Sequence, residues 1–193
     1  MVAFGDSWGS FGEKEFQDMF TSRGSAIKVD NDAIGGTTAK FWSLMPNSLR
    51  DAVAKNADAK WVWLSLGGND GISGMSQGRS LEDVVADVVK NTQKILDPLF
   101  RDFPNIRVVQ FGYDLPNFEM LENCPGREFV FPECRGRTAC INRRTYYLQS
   151  VVEEIGNLYQ NFDVVDLRGT LQRASGEVRE IFFKKNKVEP PEL

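Results

Sequence analysis

Five short apolar stretches alternate with segments of helical periodicity along the chain. Trp61–Leu66 is the strongest of the five, because it is aromatic and apolar on both faces, as in the interior strands of parallel sheets. The other predicted strands are residues 1–4, one strand within Ala26–Ile34, Ile106–Phe111 and Phe162–Leu167. Strands that alternate with helices at this spacing predict right-handed βαβ units, and therefore one parallel sheet with helices on both faces.

Four helical segments separate these strands. Apolar residues at spacings of three and four predict helices at about Phe11–Arg23, Ala39–Ala57 with an interruption at Pro46, Ser80–Phe100 and Asn142–Asn161. In the first helix Phe16, Met19 and Phe20 form a stripe that predicts core packing, and Gly24 is expected to end the helix. Ser80 and Asp83 form a capping-box-like start of the longest helix.

The length of 193 residues and the 41% hydrophobic content suit one domain with a full core, which we expect to span residues 1–193. Periodicity is lost at about residues 112–138, which we interpret as a loop insertion. A loop of this length is either a lid or specificity element or partly disordered. The net charge is −4, and the basic residues are scattered, so no nucleic-acid partner is expected. No apolar run approaches the roughly 20 residues of a membrane span.

The three cysteines of the chain, Cys124, Cys134 and Cys140, fall within 17 consecutive residues, in the predicted loop insertion and just after it. Such clustering is consistent with one disulfide, in any of three pairings, plus one free thiol. It is also consistent with three unpaired thiols. Three cysteines without a histidine or a fourth cysteine make a poor zinc set, so neither a metal nor another cofactor is expected. The cysteine-bearing loop favours a secreted or luminal location, and a cytoplasmic location is the alternative.

Glycine-containing polar turns follow the first three predicted strands. They are Gly5-Asp6-Ser7, Gly35-Gly36-Thr37 and Gly67-Gly68-Asn69-Asp70. Each is an ordinary turn sequence when taken singly. In a parallel sheet, however, all three converge on the carboxyl edge, where ligands bind. Together they offer a serine hydroxyl, glycine amides and a carboxamide, which are the groups needed for acyl transfer.

The same turns resemble the first three sequence blocks of the SGNH (GDSL-type) hydrolase family, in order and at familiar spacing. The segment Leu66–Gly71 is especially similar to bacterial thioesterase and lysophospholipase-like esterases, and Asp163–Thr170 resembles the family's fifth strand. The resemblance implies a flavodoxin-like, three-layer α/β domain with a five-stranded parallel sheet. It also implies a serine esterase in which Ser7 is the nucleophile. The amides of Ser7 and Gly36 and the side-chain amide of Asn69 would then form the oxyanion hole.

The chain departs from the family in one respect, because it contains no histidine. The family's last block, Asp-x-x-His, supplies the base and its orienting acid, and an unassisted serine is a poor nucleophile. Two hypotheses follow. In the first, an ester or acylated substrate is cleaved with a histidine from beyond Leu193 or from a separate peptide chain. In the second, the fold is catalytically inactive and serves as a binding or structural module.

Overall fold

A computed structural model of the protein describes residues 1–112 and 149–167. The strands are β1 (Val2–Gly5), β2 (Asp30–Asn31), β3 (Trp61–Ser65), β4 (Arg107–Phe111) and β5 (Phe162–Val165). The helices are α1 (Ser7–Ser22), α2 (Ala39–Ser43), α3 (Ser48–Lys55), α4 (Gly68–Ser76), α5 (Leu81–Asp102) and α6, which is described over residues 149–158.

The five strands form one parallel sheet in the order β2-β1-β3-β4-β5. The predicted α/β class and the five-stranded parallel sheet are therefore confirmed. β1 lies between β2 and β3, with Val2 in register with Asp30 on one side and Val62 on the other. From β1 the strand order runs one way to β2 and the other way to β3, β4 and β5. A reversal of this kind is the switch point at which α/β sheets open a crevice for ligands. The loops after β1, β2 and β3 meet at that point.

β3 is covered on both faces, as its apolar pattern predicts. Val62 and Leu64 belong to the main core cluster, which includes Ile95, Leu96 and Leu99 of α5. Successive side chains of a strand point to opposite faces, and the Trp63 ring contacts Phe16 of α1 at a centroid distance of 4.2 Å. Two layers of helix therefore sandwich the sheet.

Two caps occur where the sequence places them. The Ser80 hydroxyl accepts a hydrogen bond from the Asp83 amide at 3.1 Å, so it begins α5. Gly24 follows α1 with a φ of 69°, and the Ser25 amide reaches back to the Phe20 carbonyl at 2.9 Å. This is the Schellman arrangement, in which the glycine adopts the left-handed conformation.

Several predicted boundaries are wrong. α1 begins at Ser7 rather than Phe11, and α4 is not foreseen by the sequence analysis at all. The predicted interruption at Pro46 is present, but the break spans residues 44–47, so the second helix starts only at Ser48. Met19, assigned to the core stripe of the first helix, is 37% exposed. The predicted loop at residues 112–138 and all three cysteines fall outside the described residues, apart from Gly112.

None of the helices in the described part of the chain has the length and apolar character needed to cross a bilayer.

Candidate functional site

The turn after β1 is built around Gly5. Its φ is 125°, and a Cβ at this position would lie 2.0 Å from the Ser65 carbonyl oxygen. Only glycine allows β1 and β3 to approach so closely at their carboxyl ends. The same Ser65 carbonyl accepts a hydrogen bond from the Asp6 amide at 2.8 Å. The chain then turns directly into α1, with Ser7 as its first residue.

Asp6 is the N-cap of α1 and is almost completely buried, with 1% of its surface exposed. Its Oδ1 accepts hydrogen bonds from the Trp8 amide at 3.1 Å and from the Ser65 hydroxyl at 2.5 Å. Burial raises the pKa of the Asp6 carboxyl, although the hydrogen bonds from Ser65 and Trp8 oppose the shift. Asp6 thus acts at the helix start and fixes the backbone on which half-buried Ser7 is carried.

The turn after β2 is fastened to the end of β1 through the Gly5 carbonyl. That oxygen accepts hydrogen bonds from the Ile34 amide and the Thr37 hydroxyl, each at 2.9 Å. Gly35 is next to the serine, since a Cβ at Gly35 would lie 3.9 Å from the Ser7 Cβ. Gly36 is exposed, with a φ of 79° and open space where a side chain would project. Its backbone is therefore open to a ligand.

Thr37 is held in turn by Trp42 of α2. The Trp42 indole Nε1–H donates to the Thr37 hydroxyl at 2.9 Å and lies 3.3 Å from the Gly5 carbonyl oxygen. The Trp42 ring also contacts Phe4 of β1 at a centroid distance of 4.3 Å. The turn is thus anchored to both the backbone and the core of β1.

The turn after β3 is joined to the turn after β2 by two side chains. Asn69 Nδ2 donates to the Thr37 carbonyl at 2.9 Å, which leaves its second N–H for another acceptor. The Asp70 carboxylate accepts from the amides of Ala39 at 2.8 Å and Lys40 at 3.3 Å, at the start of α2. Burial raises the pKa of the Asp70 carboxyl, and these two amides oppose the shift.

Hydrogen bonds therefore link the three turns that carry Ser7, Gly36 and Asn69 at one edge of the sheet. The sequence analysis placed these three residues in the turns but did not foresee the side-chain contacts that connect the turns. Those contacts are made by Ser65, Thr37, Trp42 and the carboxylate of Asp70. The sequence signals for the last two were weak, because a tryptophan in a helix is usually a packing residue and an aspartate after asparagine is common in turns.

The described residues offer no conventional base or metal centre. The full sequence has no histidine. Within residues 1–112 and 149–167 no three potential metal-binding side chains are grouped together. The two carboxylates nearest the turns, buried Asp6 and half-buried Asp70, are both engaged with backbone amides. Among the described residues, the three turns therefore bring together a serine hydroxyl and amide N–H groups, with no imidazole beside them.

Comparison with known proteins gives the same class as the fold and the three turns, namely the SGNH hydrolases. A family model described as "GDSL-like Lipase/Acylhydrolase family" matches residues 2–185. This protein therefore belongs to the GDSL-like lipase/acylhydrolase family. No curated protein matches the sequence.

Solved structures of similar fold include an extracellular lipase from Streptomyces rimosus. It is 16% identical, with a TM-score of 0.58, and the match covers 89% of this chain and 81% of the lipase. A gut microbial diltiazem-metabolizing enzyme, BT4096, is 16% identical with a TM-score of 0.62 over 98% of this chain. A Streptococcus pneumonia protein assigned as a platelet activating factor is 15% identical with a TM-score of 0.52 over 86% of this chain.

The chain spans 42% of the BT4096 chain and 64% of the Streptococcus pneumonia chain. At identities of 15–16%, these likenesses demonstrate a common fold and nothing more.

Proposed function

We propose that this protein is a serine acylhydrolase that cleaves carboxylic esters through an acyl-enzyme on Ser7. The observation that carries the proposal is the hydrogen-bonded junction of the three turns beside Ser7, at the carboxyl edge of a parallel sheet. In the proposed reaction, Ser7 Oγ attacks the ester carbonyl, the alcohol leaves, and water then releases the acid. Membership in an acylhydrolase family and the fold shared with an extracellular lipase support this choice.

The donors proposed for the oxyanion are the amide N–H groups of Ser7 and Gly36 and the side-chain N–H of Asn69. Ser7 is the first residue of α1, and the first amides of a helix have no intrahelical acceptor. The N-terminal end of the helix also carries partial positive charge, which favours a developing oxyanion. The bond from Asn69 to the Thr37 carbonyl fixes the carboxamide while leaving one donor free.

The base is proposed to come from outside residues 1–193, on an Asp-x-x-His segment beyond Leu193 or on a separate peptide chain. The physical reason is that a neutral serine hydroxyl needs a proton acceptor near pH 7, and imidazole is the usual one. Oxyanion binding without the base leaves a residual acceleration of ~10³–10⁴-fold over water. The isolated chain should therefore be a slow esterase.

Imidazole added to the solution should replace the missing side chain and so tests this proposal. Hydrolysis of p-nitrophenyl butyrate by the chain is measured against imidazole concentration, with Ser7→Ala as the matched control for the imidazole-catalysed background. We expect an imidazole-dependent rate that only the Ser7 protein shows, and intact-mass labelling of Ser7 by a fluorophosphonate that accelerates in parallel. Full Ser7-dependent turnover without imidazole would contradict the missing-base proposal.

An inactive binding module is the second candidate, because the total absence of histidine favours it. The same titration separates the two functions. An imidazole response that is identical in the wild-type protein and Ser7→Ala would exclude the hydrolase and favour the binding module.

We also propose that the chain is one domain and that its cysteine-bearing segment places it in a secreted or luminal compartment. Peptide mapping under non-reducing conditions is expected to find one disulfide among Cys124, Cys134 and Cys140 and one free thiol. Three free thiols after purification in air would remove the basis for this location.

A further inference from the structure

Asn69 and Asp70, in the first turn of α4, both bond to the stretch of chain that runs from the turn after β2 into α2. Asn69 Nδ2 donates to the Thr37 carbonyl at 2.9 Å. Asp70 Oδ2 accepts from the Ala39 amide at 2.8 Å, and Oδ1 accepts from the Lys40 amide at 3.3 Å. The two turns are therefore attached at two points, by side chains that are neighbours in the sequence.

The Asp70 carboxylate is committed to backbone amides and not to an ion pair. It lines a cavity together with three other charged side chains, from Lys40, Arg79 and Asp87. Arg79 Nη2 donates to Asp87 Oδ2 at 2.7 Å, so these two charges neutralise each other. Among residues 1–112 and 149–167, no lysine or arginine forms an ion pair with Asp70. The bonds to α2 are therefore the distinctive contacts of this side chain.

Helix α2 completes a closed ring of contacts. The Trp42 indole N–H donates to the Thr37 hydroxyl at 2.9 Å, the Thr37 carbonyl accepts from Asn69, and Asp70 returns to the start of α2. A carboxamide held by one hydrogen bond can still swing about its acceptor, whereas a supporting shell of further bonds fixes its direction. The ring therefore sets the direction of the second Asn69 N–H, which the bond to Thr37 leaves over.

We propose that Asp70 is a positioning residue, which holds the start of α2 and thereby directs the second Asn69 N–H at the oxyanion. This inference rests on the proposed function of Ser7 and Asn69. Asp70 does not contact the reacting atoms in this account, because it acts only through Asn69. An oxyanion donor has to lie about 2.7–3.1 Å from the oxygen, and a misplacement of about 1 Å can cost roughly 100-fold in rate. Loss of Asp70 should therefore approach the effect of losing the Asn69 amide and should not exceed it.

The hold on the Asn69 carboxamide can be measured without catalysis. Its two protons are identified in nitrogen–proton correlation spectra as the signals that Asn69→Ala lacks, and their exchange with water is measured by magnetisation transfer. We expect the bonded proton to exchange at least about threefold faster in Asp70→Ala, which corresponds to part of one hydrogen bond. Asp87→Ala is the matched control and should leave the exchange unchanged, because it removes a carboxylate from the same cavity that has no bond to α2.

A double-mutant cycle tests the consequence for catalysis. Ser7-dependent hydrolysis of p-nitrophenyl butyrate is measured at a fixed imidazole concentration. We expect Asp70→Ala to lower kcat by about 10–100-fold with little change in KM, because an oxyanion donor acts mainly in the transition state. In the Asn69→Ala background, the same substitution should lower kcat by less than about threefold, since its route of action is already gone. Asp87→Ala should leave both constants unchanged.

Asp70→Asn separates geometry from charge. It removes the negative charge but keeps one acceptor oxygen, so we expect its kcat to lie between the values for the wild type and Asp70→Ala. A kcat above that of the wild type would overturn the inference, because the charge of Asp70 near the oxyanion would then outweigh its hydrogen bonds. Circular dichroism verifies the folding of each variant, and Asp70→Asn supplies the test if Asp70→Ala does not fold.

Unchanged exchange of the Asn69 proton in the Asp70 variants would overturn the inference. Equal losses of kcat on removal of Asp70 with and without the Asn69 side chain would also overturn it, since Asp70 would then act by another route. A failure of the proposed function gives a different result, namely hydrolysis that does not depend on Ser7 in any variant. The exchange measurement still decides in that case whether Asp70 holds Asn69.

Discussion

Gly5 lies at the carboxyl end of β1, where its backbone closely approaches Ser65 of β3. A methyl group there would meet the Ser65 carbonyl oxygen at 2.0 Å, on a backbone with a φ of 125°. We predict that Gly5→Ala lowers the free energy of unfolding by roughly 3 kcal/mol or more, because backbone strain and overpacking add. Urea denaturation measures the loss.

Gly24→Ala is the control for Gly5. Gly24 also has a positive φ, 69°, but has no atom within 4 Å of its Cβ position. Its substitution should cost only the strain of the left-handed conformation, about 1–2 kcal/mol. Equal losses of unfolding free energy in the two variants would show that the close contact with Ser65 adds nothing to the destabilisation.

The buried Asp6 carboxyl predicts a specific dependence of stability on pH. Its pKa in the folded protein is raised, mainly by burial, above the unfolded value of about 4. Between these two values the folded protein binds more protons than the unfolded one, so wild-type stability falls as pH rises. Asp6→Asn lacks this titration. We expect the stability of wild type relative to Asp6→Asn to decrease as pH rises from about 4 and to level off above the raised pKa.

Chemical denaturation of both proteins across this pH range gives the difference directly. The raised pKa of Asp70 is present in both proteins and largely cancels in the comparison. A difference that grows with increasing pH would mean that the Asp6 carboxylate is stabilised on folding, contrary to the prediction.

At the scale of elements, α4 packs against α5 through a glycine. A Cβ at Gly74 would lie 2.4 Å from Cγ2 of Val84, which is 1% exposed. Gly74→Ala should therefore destabilise the protein by about 1–3 kcal/mol through overpacking. Val84→Ala should cost about 2 kcal/mol by leaving a cavity.

The double variant tests whether these two effects share a cause. The new methyl group at position 74 would occupy the space that Val84 vacates, so the double variant should be more stable than the sum of the single losses by about 1 kcal/mol or more. Additive losses, measured by urea denaturation, would contradict direct packing of α4 on α5.

The elements differ in how far the sequence predicts them. Strand β3 and helix α5 are predicted nearly to the residue, because burial on both faces and a capped amphipathic stripe leave strong local patterns. Helix α4 is missed because its residues Gly68–Ser76 include three glycines and little periodicity, so the helix depends on its packing against α5. The early start of α1 is missed because Gly5-Asp6-Ser7 is equally compatible with a turn.

The residues of the candidate site also differ in how far the sequence predicts them. Ser7, Gly36 and Asn69 are recognisable because three polar turns follow three strands, and topology then requires them to meet. Ser65 is not recognisable, since a serine inside an apolar strand gives no sign of its partner 59 residues away. Contacts between residues far apart in the sequence form only when the chain folds, so no local sequence pattern predicts them.

At the scale of the whole molecule, we expect the strands of the sheet to differ in their stability against local opening. β3 has paired neighbours on both sides and is buried except for Trp61, whereas β2 consists of two residues at the edge of the sheet. We predict that amides of residues 62–64 exchange with deuterium at least roughly 100-fold more slowly than those of residues 30–31, since central core segments open only with global unfolding. Mass spectrometry of the exchanged protein measures this ratio. Comparable exchange in the two strands would mean that the sheet opens as one unit.

The links among Gly5, Thr37, Asn69 and Asp70 have an evolutionary consequence. All of them are made within residues 1–112, by side chains and amides that need no base for their geometry. Gain or loss of a histidine elsewhere in the protein would therefore leave these links unchanged. The backbone that carries Ser7 can thus be inherited independently of any base.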